Sequence, residues 1–364
     1  MSLFYREMLG YLTKSISNQY LDNFDYEIRS LAGFQRAQYW ITSAFARIMR
    51  LIGRKATILV LPQTNYFINS ISDFEQTYDL LNDEESKAKI IELIAYKALG
   101  FTKVKLSLNN DWFHQEREKI KKLECAESIS LQHFKRPLHL YDLKKTGYDI
   151  KLFHVNNGVF VDFVLEQYKY ENLVSVTNGD VVIDAGGCWG DTALYFAHCG
   201  ADSVYVYEFI PSNIEVMKKN LELNPHLKEK IHLVQSPAWS ESNHRLSFCD
   251  KGPASQVGKG GVFSDGETST LSIDDLVRDN QVDKIDFIKM DIEGAEIPAL
   301  VGAKETIRKF KPKLAISAYH KPDDMIAIPK LLHNLNPGYR FYLDYYTIIG
   351  DEVVLYAIDH EDAK

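Results

Sequence analysis

The sequence predicts an α/β fold. Its centre is a mainly parallel, seven-stranded open sheet with an antiparallel terminal strand, preceded by an N-terminal, mainly helical α/β region. Three observations predict it. From residue 181 onward, short apolar runs alternate with helix-like stretches. The first run, Val181-Val182-Ile183-Asp184-Ala185, passes straight into the glycine-rich turn Gly186-Gly187-Cys188-Trp189-Gly190. The chain then closes with two consecutive apolar runs separated by Gly350-Asp351, a hairpin ending that a pure dinucleotide-binding fold would not need.

A length of 364 residues suggests roughly two domains. The change to strand-like texture near 149 places the boundary between an accessory region at 1–145 and a sheet domain at 146–364. The composition is 45% hydrophobic and 12% aromatic, enough for a large core. The net charge of −8 argues against nucleic acid as a partner. Cys125, Cys188, Cys199 and Cys249 form no metal-ligand spacing and read as reduced thiols of a cytoplasmic protein. The apolar stretch at 41–61 is broken by Arg47, Arg50, Arg54 and Lys55, so no integral membrane segment is expected.

In order, Phe34, Ala37, Ile41, Ala44 and Ile48 fall on one helical face, and residues 56–61 read as a strand stopped by Pro62. Residues 73–100 read as helix, with Gly100 at its C-terminus. Residues 112–127 read as a charged surface helix. Asn156-Asn157-Gly158 between two apolar runs predicts a β-hairpin. Strands follow at 181, 203 and 231, with a helix from Pro211 to Leu223 between the second and third. The polar, glycine-rich stretch at 237–270 predicts a hairpin and a long loop. The remaining strands are expected at 286–291, 312–317, 339–345 and 352–358, with a helix at 322–336.

Strand, glycine loop, helix, strand and then Glu208 is the order in which an open sheet holds an adenosine-type cofactor. Gly186 and Gly190 would let the backbone approach the ligand, and the Glu208 carboxylate can accept from both ribose hydroxyls. The alternative for the glycines is an ordinary strand-to-helix turn. Cys188 stands where a dinucleotide fingerprint has its second glycine, which a pyrophosphate requires. S-adenosylmethionine carries no phosphate, so the loop favours that cofactor over NAD. Asp291, Glu293 and Glu296 cluster at the mouth of the fourth strand. Asp291 would stand beside the reacting methyl group or a metal, and the alternative for Glu293 and Glu296 is that they favour a helix N-terminus. His320, at the end of the fifth strand, offers a neutral imidazole base for a hydroxyl, or else a cap shared with Asp323.

Taken together, these residues resemble the FkbM-type family of S-adenosylmethionine-dependent methyltransferases, over about 150–358. The matching pieces include Gly179-Asp180-Val181-Val182-Ile183-Asp184-Ala185-Gly186, Gly190-Asp191-Thr192, Tyr207-Glu208-Phe209 with Asn213, Asn220, and Tyr319-His320-Lys321-Pro322-Asp323-Asp324. The most specific is Lys289-Met290-Asp291-Ile292-Glu293-Gly294-Ala295-Glu296. Cys188-Trp189 departs from the Asn-Ile of many members, and Leu343-Asp344-Tyr345-Tyr346 from a more basic stretch. The resemblance implies a Rossmann-like class I methyltransferase that O-methylates a sugar or polyketide hydroxyl. The cofactor contacts expected are Asp184, Gly186, Gly187, Cys188, Gly190, Thr192, Glu208, Phe209, Asn213, Ala238 and Asp291, with His320 and Asp291 catalytic. The reading is an O-methyltransferase of a saccharide, a cell-surface glycan or its precursor, whose accessory region shapes the acceptor site or a homo-oligomer interface. The alternatives are a Mg²⁺-assisted enzyme using Asp291, Glu293 and Asp323 on another small molecule, lipid or peptide, and a non-catalytic cofactor-binding scaffold.

Overall fold

The structure is a computed structural model that describes residues 1–20, 66–67, 69–131, 134–258 and 265–361. The expected helical face from Phe34 to Ile48 and the expected strand at 56–61 lie outside the described residues. Among the described residues the chain opens with helices α1 (Leu3–Ile16), α2 (Ile71–Leu80), α3 (Glu84–Leu99) and α4 (Asp111–Lys121). Strands β1 (Glu124–Leu131), β2 (Phe134–Asp142) and β3 (Lys151–His154) lead to α5 (Asn156–Phe163). The alternating section is β4 (Val181–Ala185), α6 (Asp191–His198), β5 (Ser203–Tyr207), α7 (Pro211–Leu223), α8 (Pro225–Lys228) and β6 (Ile231–Val234). Three short strands follow, β7 (Arg245–Cys249), β8 (Gln256–Gly258) and β9 (Gly266–Ser269). The chain ends with α9 (Ile273–Asp279), β10 (Phe287–Met290), α10 (Glu296–Val301), α11 (Lys304–Phe310), β11 (Lys313–Ser317), α12 (Asp324–Leu335), β12 (Tyr339–Tyr345) and β13 (Val353–Asp359).

The central sheet has seven strands in the order β12-β13-β11-β10-β4-β5-β6. Only β13 runs against its neighbours: the β10–β11, β10–β4, β4–β5 and β5–β6 pairs are parallel. The last strand in sequence therefore inserts second from the edge. Helices cover both faces, so Val182, Ile183 and Ala185 of β4 and the whole of β10 are buried. This is why these strands read as apolar runs, each broken by one charged residue, Asp184 or Lys289, rather than as alternation.

The N-terminal helices seal the exposed edge of this sheet. The Asn82 N–H donates to the Phe341 carbonyl, and the Phe341 N–H returns a bond to Asn82 Oδ1, both at 2.9 Å. The Leu343 N–H donates to Ser86 Oγ at 2.9 Å. An edge strand whose donors and acceptors are used in this way cannot recruit another chain. The same segment explains why the helix expected at 73–100 is two helices. Leu81-Asn82-Asp83 leaves the helical path to pair with β12, and Asp83 then caps α3 by accepting from the Ser86 N–H at 2.7 Å.

Two other expectations are corrected. The charged helix predicted at 112–127 stops at Lys121, and β1 begins at Glu124. From there the chain pairs antiparallel with β2, with Ser128 opposite His139 and Ile129 opposite Leu138. Asn156-Asn157-Gly158 starts α5 instead of turning a hairpin. Val159, Phe160 and Phe163 bury one helical face, and β3 takes its partner from β2. Gly158 is required for close approach: a Cβ there would lie 1.8 Å from His154 Cε1.

Candidate active site

The carboxyl ends of β4, β5, β10 and β11 open into a cavity of about 360 Å³, in the size range of small-molecule sites. The glycine loop forms its floor. Gly186 and Gly190 both have positive φ, 85° and 79°, which glycine adopts without penalty. At Gly186 the requirement is doubled, because a Cβ would meet the Asp291 carbonyl oxygen at 1.8 Å. The glycine thus lets the loop lie against the end of β10, a packing demand that the sequence did not separate from ligand approach.

A buried charge pair supports the loop from beneath. Lys289 Nζ lies 3.0 Å from Asp184 Oδ1 and donates to the Gly186 carbonyl at 2.6 Å. Thr192 Oγ1 donates to Asp184 Oδ2 at 2.6 Å. Burial works against the Lys289 charge, but Asp184 and Asp291 outweigh it and hold the lysine above its ordinary range. Asn220 ties the loop sideways, donating to the Trp189 carbonyl at 2.9 Å and accepting from the Phe153 N–H at 2.7 Å.

Glu208 stands at the end of β5 on the cavity wall and is 6% exposed. Its Oε1 accepts from the Phe209 and Ile210 N–H groups at 2.7 and 2.8 Å, and its Oε2 from Asn213 Nδ2 at 3.1 Å. Burial nevertheless pushes the carboxyl up to about 7. Further donors from a ligand would stabilise its ionised form. Asn213 Oδ1, also buried on this wall, has no hydrogen-bond partner. Phe209 and Ala238 complete this end.

Carboxylates gather at the opposite end. Asp291 Oδ2 accepts from the Tyr168 hydroxyl at 2.8 Å. His320 lies behind Asp291 and does not face the cavity: its Nε2 is 3.3 Å from Asp291 Oδ1, and its Nδ1 is 2.9 Å from Glu296 Oε1. Burial pulls the imidazole down, but the bond to Glu296 and the charges of Asp291, Glu296 and Glu293 overcome it and lift it to about 10. His320 is therefore a cation near neutral pH, which corrects the expectation of a neutral base. Burial raises Glu293 to about 7, with the charges of Asp291 and Glu296 adding to it. Glu352, which accepts from the Tyr319 hydroxyl at 3.0 Å, is raised to about 8 by burial and by Asp291. Glu293 and Glu352 both hold left-handed backbone, at φ of 56° and 54°, a strained state for non-glycine residues that concentrates at functional sites.

Among the expected cofactor contacts, Gly186, Cys188, Thr192, Glu208, Phe209, Asn213, Ala238 and Asp291 line the cavity. Asp184, Gly187 and Gly190 are outside its lining; Asp184 is fully buried beneath the loop. Of the expected metal ligands, Asp291 and Glu293 come together around His320, whereas Asp323 stands at the start of α12 and its neighbour Asp324 faces His320 and Glu296. These residues do not match the all-oxygen shell that Mg²⁺ prefers, because the His320 ring stands among the acids. Sequence reasoning did not place Lys289, Tyr168, Glu352 or the buried group His154, Asp162 and Asp191 at the cavity. They converge only through tertiary structure.

Comparison with known proteins bears on this architecture. Residues 176–341 match the family model described as Methyltransferase FkbM domain. The structure of methyltransferase FkbM from Methylobacillus flagellatus KT superposes with a TM-score of 0.55 at 18% identity, over 90% of this chain and 71% of that one. Fibrillarin from Aeropyrum pernix, solved with natively bound S-adenosyl-L-methionine, gives 0.37 at 14% identity over 64% of this chain and all (100%) of its own. An rRNA methylase from Streptococcus thermophilus gives 0.34 at 12% identity, over 57% of this chain and 94% of its own. The fold is that of the Rossmann-like class I methyltransferases. No curated protein matches the sequence.

Proposed function

From a chain whose residues 176–341 match the FkbM methyltransferase domain model, we propose an S-adenosylmethionine-dependent O-methyltransferase acting on a saccharide hydroxyl. The acceptor would be a cytoplasmic precursor of a cell-surface glycan. The observation that carries this reading is Glu208, a buried carboxylate held by three donors on the wall of the cavity, beside the glycine loop. Glu208 accepts from the ribose hydroxyls, and Phe209, Asn213 and Ala238 hold the adenosine. Asp184 acts indirectly, by fixing the loop through Lys289 and Thr192. Bound there, the cofactor supplies an electrophilic methyl group for in-line displacement.

The acceptor lies at the acidic end, against Asp291, Glu293 and Glu352. A hydroxyl must be aligned and must lose its proton as its oxygen attacks. Glu352 takes that proton. Among the described residues its one hydrogen-bonding side chain is the neutral Tyr319, and its position near 8 suits a base at working pH. Glu293 is the weaker choice because His320 Nε2 stands 3.8 Å from it. His320 is a positioning residue that orients Asp291. Phe134 and Arg136 of β2 border the same cavity, which supports the accessory region at 1–145 as part of the acceptor site.

Mass spectrometry of purified protein incubated with S-adenosylmethionine and a panel of sugar nucleotides and oligosaccharides tests the reading. A gain of one methyl group on a saccharide is expected. Methylation confined to lipids or peptides would overturn the acceptor class. Cofactor binding without turnover on any class would favour the scaffold.

A further inference from the structure

The acceptor end of the cavity is rich in hydrogen-bond acceptors. Asp291, Glu293 and Glu352 line it together with Gln167, Tyr168 and Tyr319. Both tyrosine hydroxyls are already spent, Tyr168 on Asp291 and Tyr319 on Glu352. Two cations of the lining are spent as well: Lys289 pairs with Asp184, and His154 with Asp191. The third, Arg136, belongs to β2.

Glu293 differs from its neighbours on this wall. Glu296 Oε1 accepts from the Ile292 and Gly294 N–H groups at 3.0 and 3.4 Å, a clasp that turns the chain just after β10. Between the two clasped residues Glu293 holds its left-handed φ of 56°, and its side chain reaches the cavity. Strain of this kind persists only where the surrounding structure imposes it. His320 is 2.9 Å from Glu296 and 3.3 Å from Asp291, but 3.8 Å from Glu293, beyond hydrogen-bonding reach. Among the described residues the other side-chain partner of Glu293 is the neutral amide of Gln256 in β8. One imidazolium thus serves three acids, and the least served of them faces the ligand.

A separate atom points the same way. Gln167 Oε1 is an acceptor without a donor among the described residues, in a residue 4% exposed that lines the cavity. Gln167 is fixed from both sides: its N–H donates to the Val161 carbonyl at 3.2 Å, and its carbonyl accepts from the Tyr356 hydroxyl. A buried acceptor left unpaired costs about 1–3 kcal/mol. The wall therefore favours a ligand that brings several donors and a positive charge. A neutral saccharide brings no charge, and an anionic one is repelled by the three acids. A saccharide with a primary ammonium brings both.

We infer that the acceptor is an amino sugar, its ammonium seated on Glu293 while Glu352 meets the hydroxyl that is methylated. This rests on the saccharide reading above and deepens it. Gln167 Oε1 accepts from a further hydroxyl of the same acceptor. An ammonium beside Glu293 also favours the ionised carboxylate, which burial otherwise opposes.

Mass spectrometry of the whole protein with S-adenosylmethionine and matched saccharides tests this seat. The set holds glucosamine, galactosamine and mannosamine, their N-acetyl derivatives, and the corresponding neutral hexoses and uronic acids, each free, nucleotide-linked and in oligosaccharides. Methylation at oxygen of a free-amine sugar is expected, with kcat/KM at least about tenfold above its N-acetyl and neutral counterparts. Equal or better turnover of the uncharged or acidic members, or methylation at nitrogen, overturns the seat while the saccharide reading stands. Methylation of no saccharide overturns the two together. Glu293→Gln should raise KM for the favoured amine by about 10- to 100-fold, the value of one charge-assisted hydrogen bond, whereas Glu352→Gln acts on kcat. Glu293→Asp, which keeps the charge, should recover part of that loss. A preference for the amine that survives in Glu293→Gln overturns the seat.

Discussion

Lys289 and Asp184, on adjacent parallel strands, form an ion pair of 3.0 Å whose two side chains are 2% and 0% exposed. The pair lies directly under the glycine loop, and the same ammonium holds the Gly186 carbonyl. Loop geometry and core electrostatics are therefore one structure. A buried pair of this kind adds little over an apolar replacement, but losing one partner strands the other charge.

Lys289→Met should accordingly cost about 3–5 kcal/mol of stability, read from urea denaturation. The double variant Lys289→Met/Asp184→Asn should recover much of that loss, since no charge remains buried. A single variant as stable as wild type would mean that the pair does not support the loop.

Cofactor affinity should depend on pH through Glu208. Burial raises this carboxyl to about 7, so below that pH it is protonated in the free protein. Ribose hydroxyls donate to the ionised form, and binding therefore releases a proton on the acid side. Affinity should increase as pH rises through about 7 and level off above it. Glu208→Gln should bind weakly with a flat profile over the same range. A pH-independent wild type would remove Glu208 from ribose recognition.

Turnover should separate the base from the positioning residue. At saturating cofactor, the wild-type rate should climb with pH toward about 8, where Glu352 ionises. Glu352→Gln should lose turnover by ~10²-fold or more and lose this dependence. His320→Gln should slow turnover but keep the climb, because His320 acts through Asp291. A climb that survives in Glu352→Gln would assign the base elsewhere.

The sheet was legible because its strands are short, mostly buried and punctuated. The run from Val181 to Ala185 ends at Gly186, the β5 run ends at Glu208, and Pro211 opens the next helix at the position sequence reasoning gave it. The site was legible where one strand end carries the chemistry, as at Glu208 and Asp291. It was illegible where several elements meet. Asn156-Asn157-Gly158 has the composition of a turn, but here the glycine seats the His154 ring. His320 reads as neutral in isolation, and three acids from a neighbouring segment make it a cation. Asn82 and Ser86 show nothing in sequence of the sheet edge they close.

The central claim is that this cavity binds S-adenosylmethionine through Glu208. Isothermal titration of the purified protein with S-adenosylhomocysteine tests it most directly. The account predicts saturable one-to-one binding by wild type, weakened by at least about tenfold in Glu208→Ala, the loss of hydrogen bonds to a charged group. No binding by folded wild-type protein, or wild-type affinity in Glu208→Ala, would contradict it.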